Sequence, residues 1–139
     1  MDPAMDIPPA IVDDLKRQAR AAARHAYAPY SRFPVGAAVL AADGKVYASA
    51  NVENASYGLA MCAERNAIFQ AVASGARRIS AVAVYTPTAT VTMPCGACRQ
   101  VIAEFGSDVL VVCSADHAAV EQRYSIGDLL PQAFGPAHL

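Results

Sequence analysis

Cys62, Glu64 and Arg65 stand within four residues of one another, and Cys95 and Cys98 follow some thirty positions later within Pro94–Cys95–Gly96–Ala97–Cys98. Three thiols from two segments suit one zinc ion, Zn2+, and leave its fourth position open, as catalytic zinc sites do. Glu64 lies beside one candidate ligand without being needed as one, so its carboxylate is free to move protons. Three thiolates and one divalent ion sum to −1, which weakens the metal's ability to acidify water. A guanidinium from Arg65 on a ligand sulfur offsets part of that charge.

Other uses of these residues fit less well. A structural four-cysteine site would recruit Cys113, but structural ligands usually come in close pairs and Cys62 has no such neighbour. Cys113 ends the apolar run Val109–Leu110–Val111–Val112, an ordinary place for a buried free thiol. A redox Cys-x-x-Cys also opens a helix, yet it leaves Cys62 and Glu64 without a role. An isolated Glu at a helix start is usually a surface charge complementing the dipole. Glu64 gains a different reading only because Cys95 and Cys98 exist. His25, His117 and His138 sit in no ligand spacing.

The elements that must position these groups follow from periodicity. Ile11, Leu15, Ala19, Ala22 and Ala26 recur at helical steps, predicting a first helix that Pro29 cannot continue. Val35 to Leu40 is a continuous apolar run suited to a buried strand. Asp43–Gly44 turns the chain, and Lys45 to Val52 reads as the returning strand of a hairpin. Polar Asn51 to Gly58 then leads into a second helix, Cys62 to Ser74, stopped at Gly75. Ile79 to Tyr85 is a third strand, Cys95 to Phe105 a third helix and Asp108 to Cys113 a fourth strand. Ala119 to Tyr124 is expected as a short fifth strand, and Ser125 to Leu130 as a brief helix closed by Pro131. Helices alternating with strands after a hairpin imply an α/β, three-layer α-β-α fold around a mixed five-stranded sheet. Both cysteine segments then open helices, whose partial positive charge and free N–H groups favour thiolates.

The chain has 139 residues and reads as a single domain over 1–139, with 1–10 a loose N-terminal segment and 132–139 a C-terminal tail. With 55% hydrophobic and 17% charged residues it belongs with compact globules rather than disordered chains. No apolar run approaches membrane-spanning length and no signal peptide is visible, so no membrane partner and a cytoplasmic location are expected. In a reducing compartment four cysteines read as ligands or catalytic groups rather than disulfides. A net charge of −1, with no basic run beyond Arg77–Arg78, argues against a nucleic-acid partner.

Cysteines, glutamate and Cys-x-x-Cys together match the pattern of zinc nucleobase deaminases, with Cys62 where that pattern has histidine. Over nearly its whole length the chain resembles the small homotetrameric cytidine deaminases. The resemblance is carried by Tyr30 to Gly36, Asn51 to Tyr57, Cys62 to Arg65, Pro94 to Gln100 and Phe134–Gly135. It implies one zinc per chain on Cys62, Cys95 and Cys98, with Glu64 as proton shuttle. It further implies that Asn51 and Glu53 hold a ribose hydroxyl, that Phe33 packs on the pyrimidine and that the Ala63 backbone N–H meets the base. Residues matching Ala55, Tyr57 and Phe134 approach a neighbouring subunit's site in that family. Gly58 departs from it, since many relatives carry proline there. The implied activity is hydrolytic deamination of a small nucleoside, cytidine or deoxycytidine, in pyrimidine salvage. The alternatives are a deaminase of another cytosine nucleoside such as blasticidin S, and a zinc-stabilised binding module without turnover. Asn51 and Glu53 favour cytidine over blasticidin S.

Overall fold

The computed structural model describes residues 6–117 and 120–139. Its elements run α1 (Pro9–Ala23), β1 (Gly36–Ala41), β2 (Val46–Ala50), a 3-10 turn (Tyr57–Leu59), α2 (Ala63–Ala73), β3 (Ile79–Tyr85), α3 (Gly96–Glu104), β4 (Leu110–Ser114), β5 (Glu121–Ser125), and the one-turn α4 (Ile126–Leu129). The five strands form one sheet in the order β2-β1-β3-β4-β5. Only β3 and β4 are parallel, joined through α3; the other pairings are antiparallel. This is the expected mixed sheet between helical layers.

The three central strands are buried along their length except at half-buried Ser80, which is why they read as nearly unbroken apolar runs. Alternate residues serve opposite layers. Ala37, Val39, Val82, Val84, Val111 and Cys113 face α2, α3 and α4, packing with Ala67, Ile68, Ile102 and Ile126. Ala38, Leu40, Ala81, Ala83, Tyr85 and Val112 face α1 alone, against Val12, Leu15, Ala19 and Ala23. Fully burying a Val or Leu side chain is worth about 1.5–3 kcal/mol, so these two cores carry the fold.

The first helix departs from its expected limits and face. It begins at Pro9, inside the segment expected to be loose, because a proline is suited to the first helical turn; residues 1–5 lie outside the described chain. Val12 rather than Ile11 points inward, and Ile11 stays exposed. The inner stripe ends in small residues, Ala19 and Ala23, because the helix lies directly on β1. A Cβ built on Gly36 would sit 1.8 Å from the Ala19 carbonyl oxygen, so only glycine permits that approach. The helix stops three residues short of Ala26. Its continuation pairs instead with the segment after β2: the Tyr27 N–H donates to Asn51 O and the Glu53 N–H to Tyr27 O. Elsewhere the expected elements occur with ends moved by at most two residues, as helix caps and strand fraying produce, and Ile79–Tyr85 keeps both its expected ends. Ala119, the expected start of the fifth strand, lies outside the described residues. The tail after Pro131 contains a further 3-10 turn, Pro136–His138.

Register fixes where a site can form. Gly36 at the start of β1 pairs with Ala50 at the end of β2 and with Tyr85 at the end of β3, and Tyr85 pairs with Ser114 at the end of β4. The carboxyl ends of β2, β3 and β4 therefore share one edge of the sheet. The chain leaves β2 and β3 there to enter α2 and α3, so the N-termini of both helices are brought to that edge, a common location for ligands in α/β sheets.

Candidate metal centre and active site

Cys62 is the N-cap of α2 and Cys95 the N-cap of α3, with Cys98 one turn further on. Neither cap thiol bonds to its helix, so both helices forgo the side-chain cap that Ser or Asp would supply, at a cost of about 1 kcal/mol each. The sulfurs turn towards one another instead. Cys62 Sγ lies 3.8 Å from Cys95 Sγ, and Cys95 Sγ lies 3.5 Å from Cys98 Sγ. All three fall within 4.8 Å of one another. A tetrahedral zinc with Zn–S bonds of about 2.3 Å requires sulfurs about 3.8 Å apart. The three cysteines fit zinc, with a fourth direction left to the cleft.

Cys62 and Cys98 shift in opposite directions, Cys62 being the lowered one. The Cys98 thiol donating to it, with further help from Arg65, holds its pKa down to about 5. The same hydrogen bond pushes Cys98 up. Arg65 Nη2 donates to Cys62 Sγ at 3.3 Å, the charge-offsetting contact expected from sequence. Its Nε is buried with no hydrogen-bond partner among the described residues. Cys113 takes no part: it is fully buried in β4, and burial pushes its thiol up to about 12.

Glu64, second residue of α2, is only 4% exposed. Burial raises its carboxyl above the usual range, its own backbone N–H opposes the shift, and the Cys62 charge adds to it. A carboxyl raised by burial and set beside the three sulfurs is suited both to take and to return a proton.

These groups line one cleft of about 590 Å3, with Phe33, Asn51, Glu53, Ala63 and Thr92 on its other walls. Phe33 belongs to a strap, residues 28–35, laid across the start of β1 and fastened from behind. The Asn51 side chain accepts the Val35 N–H at 2.8 Å and donates to the Phe33 carbonyl at 2.9 Å. Glu53 accepts the backbone N–H groups of Tyr30 at 2.9 Å and Ser31 at 3.1 Å, together with the Ser31 hydroxyl. The Ser31 hydroxyl is the main reason the Glu53 carboxyl is held below its ordinary pKa. Arg32, between Ser31 and Phe33, has φ 56°, the left-handed region that a non-glycine residue seldom occupies. Asn51 and Glu53 thus build the wall that Phe33 forms, besides facing the cleft.

The fold therefore brings Cys62, Ala63, Glu64, Arg65, Cys95, Phe33, Asn51 and Glu53 to one cavity, with Cys98 completing the sulfur cluster. Three expected residues do not line it. Tyr57 borders an adjoining depression of about 370 Å3 and stands edge-on to Tyr30, with ring centres 5.9 Å apart. Ala55 is exposed in the same connection. Phe134, 60% exposed, stacks on His138 in the tail, and its carbonyl accepts Gln100 Nε2. Sequence reasoning missed Ser31, whose only signal was its place in the Tyr30–Gly36 run. It also missed Thr92 and Met93, which line the cleft from an irregular loop that has no periodicity to read.

Comparison with known proteins agrees with this geometry. The family model described as the zinc-binding region of cytidine and deoxycytidylate deaminases matches residues 11–114. The cytidine deaminase of Sporosarcina psychrophila is 44% identical over 92% of this chain and 94% of its own. That of Halalkalibacterium halodurans is 48% identical over 86% of this chain and 91% of its own. A crystal structure of cytidine deaminase from Burkholderia pseudomallei superposes with a TM-score of 0.84 at 50% identity, covering 88% of this chain and 98% of that one.

Proposed function

The chain belongs to the cytidine and deoxycytidylate deaminase family and is a zinc-dependent hydrolase, and on that premise we propose that it converts cytidine and deoxycytidine to uridine and deoxyuridine with release of ammonia. The observation that carries this reading is a buried carboxyl, Glu64, beside a three-thiol metal centre in a cleft large enough for a nucleoside.

Cys62, Cys95 and Cys98 would hold the zinc, which would supply a Lewis acid that acidifies water. Glu64 accepts a proton from the attacking water and delivers it to N3 of the pyrimidine as C4 becomes tetrahedral. It then takes the proton of the new C4 hydroxyl and passes it to the departing amine, so C4=O forms as ammonia leaves and one carboxyl serves as base and acid in turn. The Ala63 N–H, unpaired within the helix as a first-turn donor, is available to the base. Phe33 covers the ring from the strap and keeps water from that face. Asn51 and Glu53 offer polar atoms to the ribose hydroxyls.

The substrate is read as the free nucleoside. A 5′-phosphate needs Arg, Lys or a free helix N-terminus at its end of the cleft. Both strong N-termini here are occupied by cysteines, and the segment 51–58 has no basic residue. The 139 residues act as one catalytic domain in the cytoplasm, within pyrimidine salvage. They assemble as a homotetramer, which would cover exposed Tyr27, Tyr57, Leu59 and Phe134. Phe134 then reaches a neighbour's site rather than its own.

One preparation tests the activity and its specificity together. Ultraviolet absorbance follows loss of the 4-amino group from cytidine, deoxycytidine, cytidine 5′-monophosphate and blasticidin S. The two nucleosides should be turned over and the other two should be poor substrates. Turnover of none of them would leave a zinc-stabilised binding module as the better reading. Preference for blasticidin S would replace the substrate, and equal kcat/KM for the monophosphate would reveal a phosphate site.

A further inference from the structure

Cys95 is the most exposed of the three sulfur ligands, and it follows an irregular run, residues 86–94, with no strand or helix to hold it. Its position therefore depends on what fixes the end of that run. Arg99 does so. From one turn along α3 its Nε donates back to the Pro94 carbonyl at 2.8 Å, and its backbone N–H donates to the Cys95 carbonyl at 3.0 Å. Side chain and backbone together close the first turn of α3, which holds both Cys95 and Cys98.

The far end of the same guanidinium is also committed. Arg99 Nη1 donates at 3.0 Å to the Leu129 carbonyl, one of the last carbonyls of α4, which no helix hydrogen bond satisfies. That short helix is itself fixed to the core: Ile126 is 1% exposed and its N–H donates to the Val109 carbonyl at 2.8 Å. A continuous series of bonds runs from Val109, just before β4, through Ile126, Leu129 and Arg99 to Pro94 and the ligand beside it. A planar guanidinium can hold two carbonyls at fixed separation because its donors point in fixed directions; a lysine ammonium is a single point and cannot span both.

We propose that Arg99 is a positioning residue for the metal centre, holding Cys95 in register with Cys62 by bracing Pro94 against α4. It touches neither metal nor substrate, so its effect is on how firmly zinc is kept. The next residue supplies an internal control, since among the described residues the Gln100 side chain bonds to the Phe134 carbonyl in the tail and not to the metal loop.

The test is the rate at which zinc passes from the loaded enzyme to a chromogenic chelator, with the urea unfolding rate measured on the same samples. Arg99→Ala should release zinc at least about fivefold faster than the unsubstituted enzyme, Arg99→Lys by an intermediate factor, and Gln100→Ala at the original rate. In the lysine variant the faster release should occur without a matching rise in unfolding rate. If Arg99→Ala does not fold, Arg99→Lys against Gln100→Ala decides the matter. Unchanged release from Arg99→Lys, release that only tracks unfolding, or equal acceleration by Gln100→Ala would each overturn the proposal.

Discussion

The two sides of the cleft are held by different means. On the metal side every sulfur belongs to the first turn of a helix, and α2 is buried through Ala67, Ile68 and Ala71 in the main core. Glu64 is almost without solvent contact. On the side proposed to hold the nucleoside, Phe33 is 38% exposed, and the strap is secured largely by hydrogen bonds to Asn51 and Glu53, with Val35 packed against the main core. Metal geometry needs positions fixed within a fraction of an ångström, which close packing supplies. Reading a sugar needs polar groups within reach of solvent, which a hydrogen-bonded loop supplies. Substitutions on the two sides should therefore fail in different ways.

The largest effect belongs to the metal side. Cys95→Ala or Cys98→Ala should leave a protein without zinc and without measurable turnover, checked by metal analysis after dialysis. Retention of a full equivalent of zinc by either variant would place the ion elsewhere.

A smaller effect, and one of a different kind, is expected across the cleft. Glu53→Gln removes a charged acceptor, so KM for cytidine should rise about tenfold while kcat changes less. An unchanged KM would confine Glu53 to fastening the strap through Tyr30 and Ser31. A fall in kcat alone would erase the distinction between the two sides.

The smallest effect separates the metal centre from the core behind it. Cys113→Ser puts a hydroxyl among Val82, Val84 and Val111, where the unsatisfied donor costs about 1–3 kcal/mol and lowers Tm by several degrees. Zinc content and kcat should stay as they were. Loss of zinc from a folded Cys113→Ser protein would favour the four-cysteine site.

The metal side was also the more legible in sequence, for the same physical reason. Spacing along a helix fixes side-chain direction, so Cys62, Glu64 and the Cys95–Cys98 pair could be placed on helix starts before any coordinates. The central strands were legible because burial on both faces leaves a nearly unbroken apolar run. The strap was legible only through family resemblance. Its shape rests on side chain to backbone bonds between residues some twenty positions apart, such as Ser31 to Glu53, which leave no periodic trace. The first helix misled because Ile11 and Val12 are both apolar. Which of them faces inward was decided by the approach of Ala19 to Gly36, a tertiary contact. Phe134 and Tyr57 could be named from the resemblance, but one chain does not bring them to the cleft.

The central claim is that Glu64 moves the protons at a zinc centre built by its neighbours. Glu64→Gln keeps the size and hydrogen-bonding reach of the side chain and removes its proton affinity. The measurement is kcat for cytidine on that variant, with zinc content and nucleoside binding determined on the same sample. A loss of at least about a hundredfold in kcat with zinc and binding retained is the predicted result. Near-normal kcat in the zinc-loaded variant would contradict it.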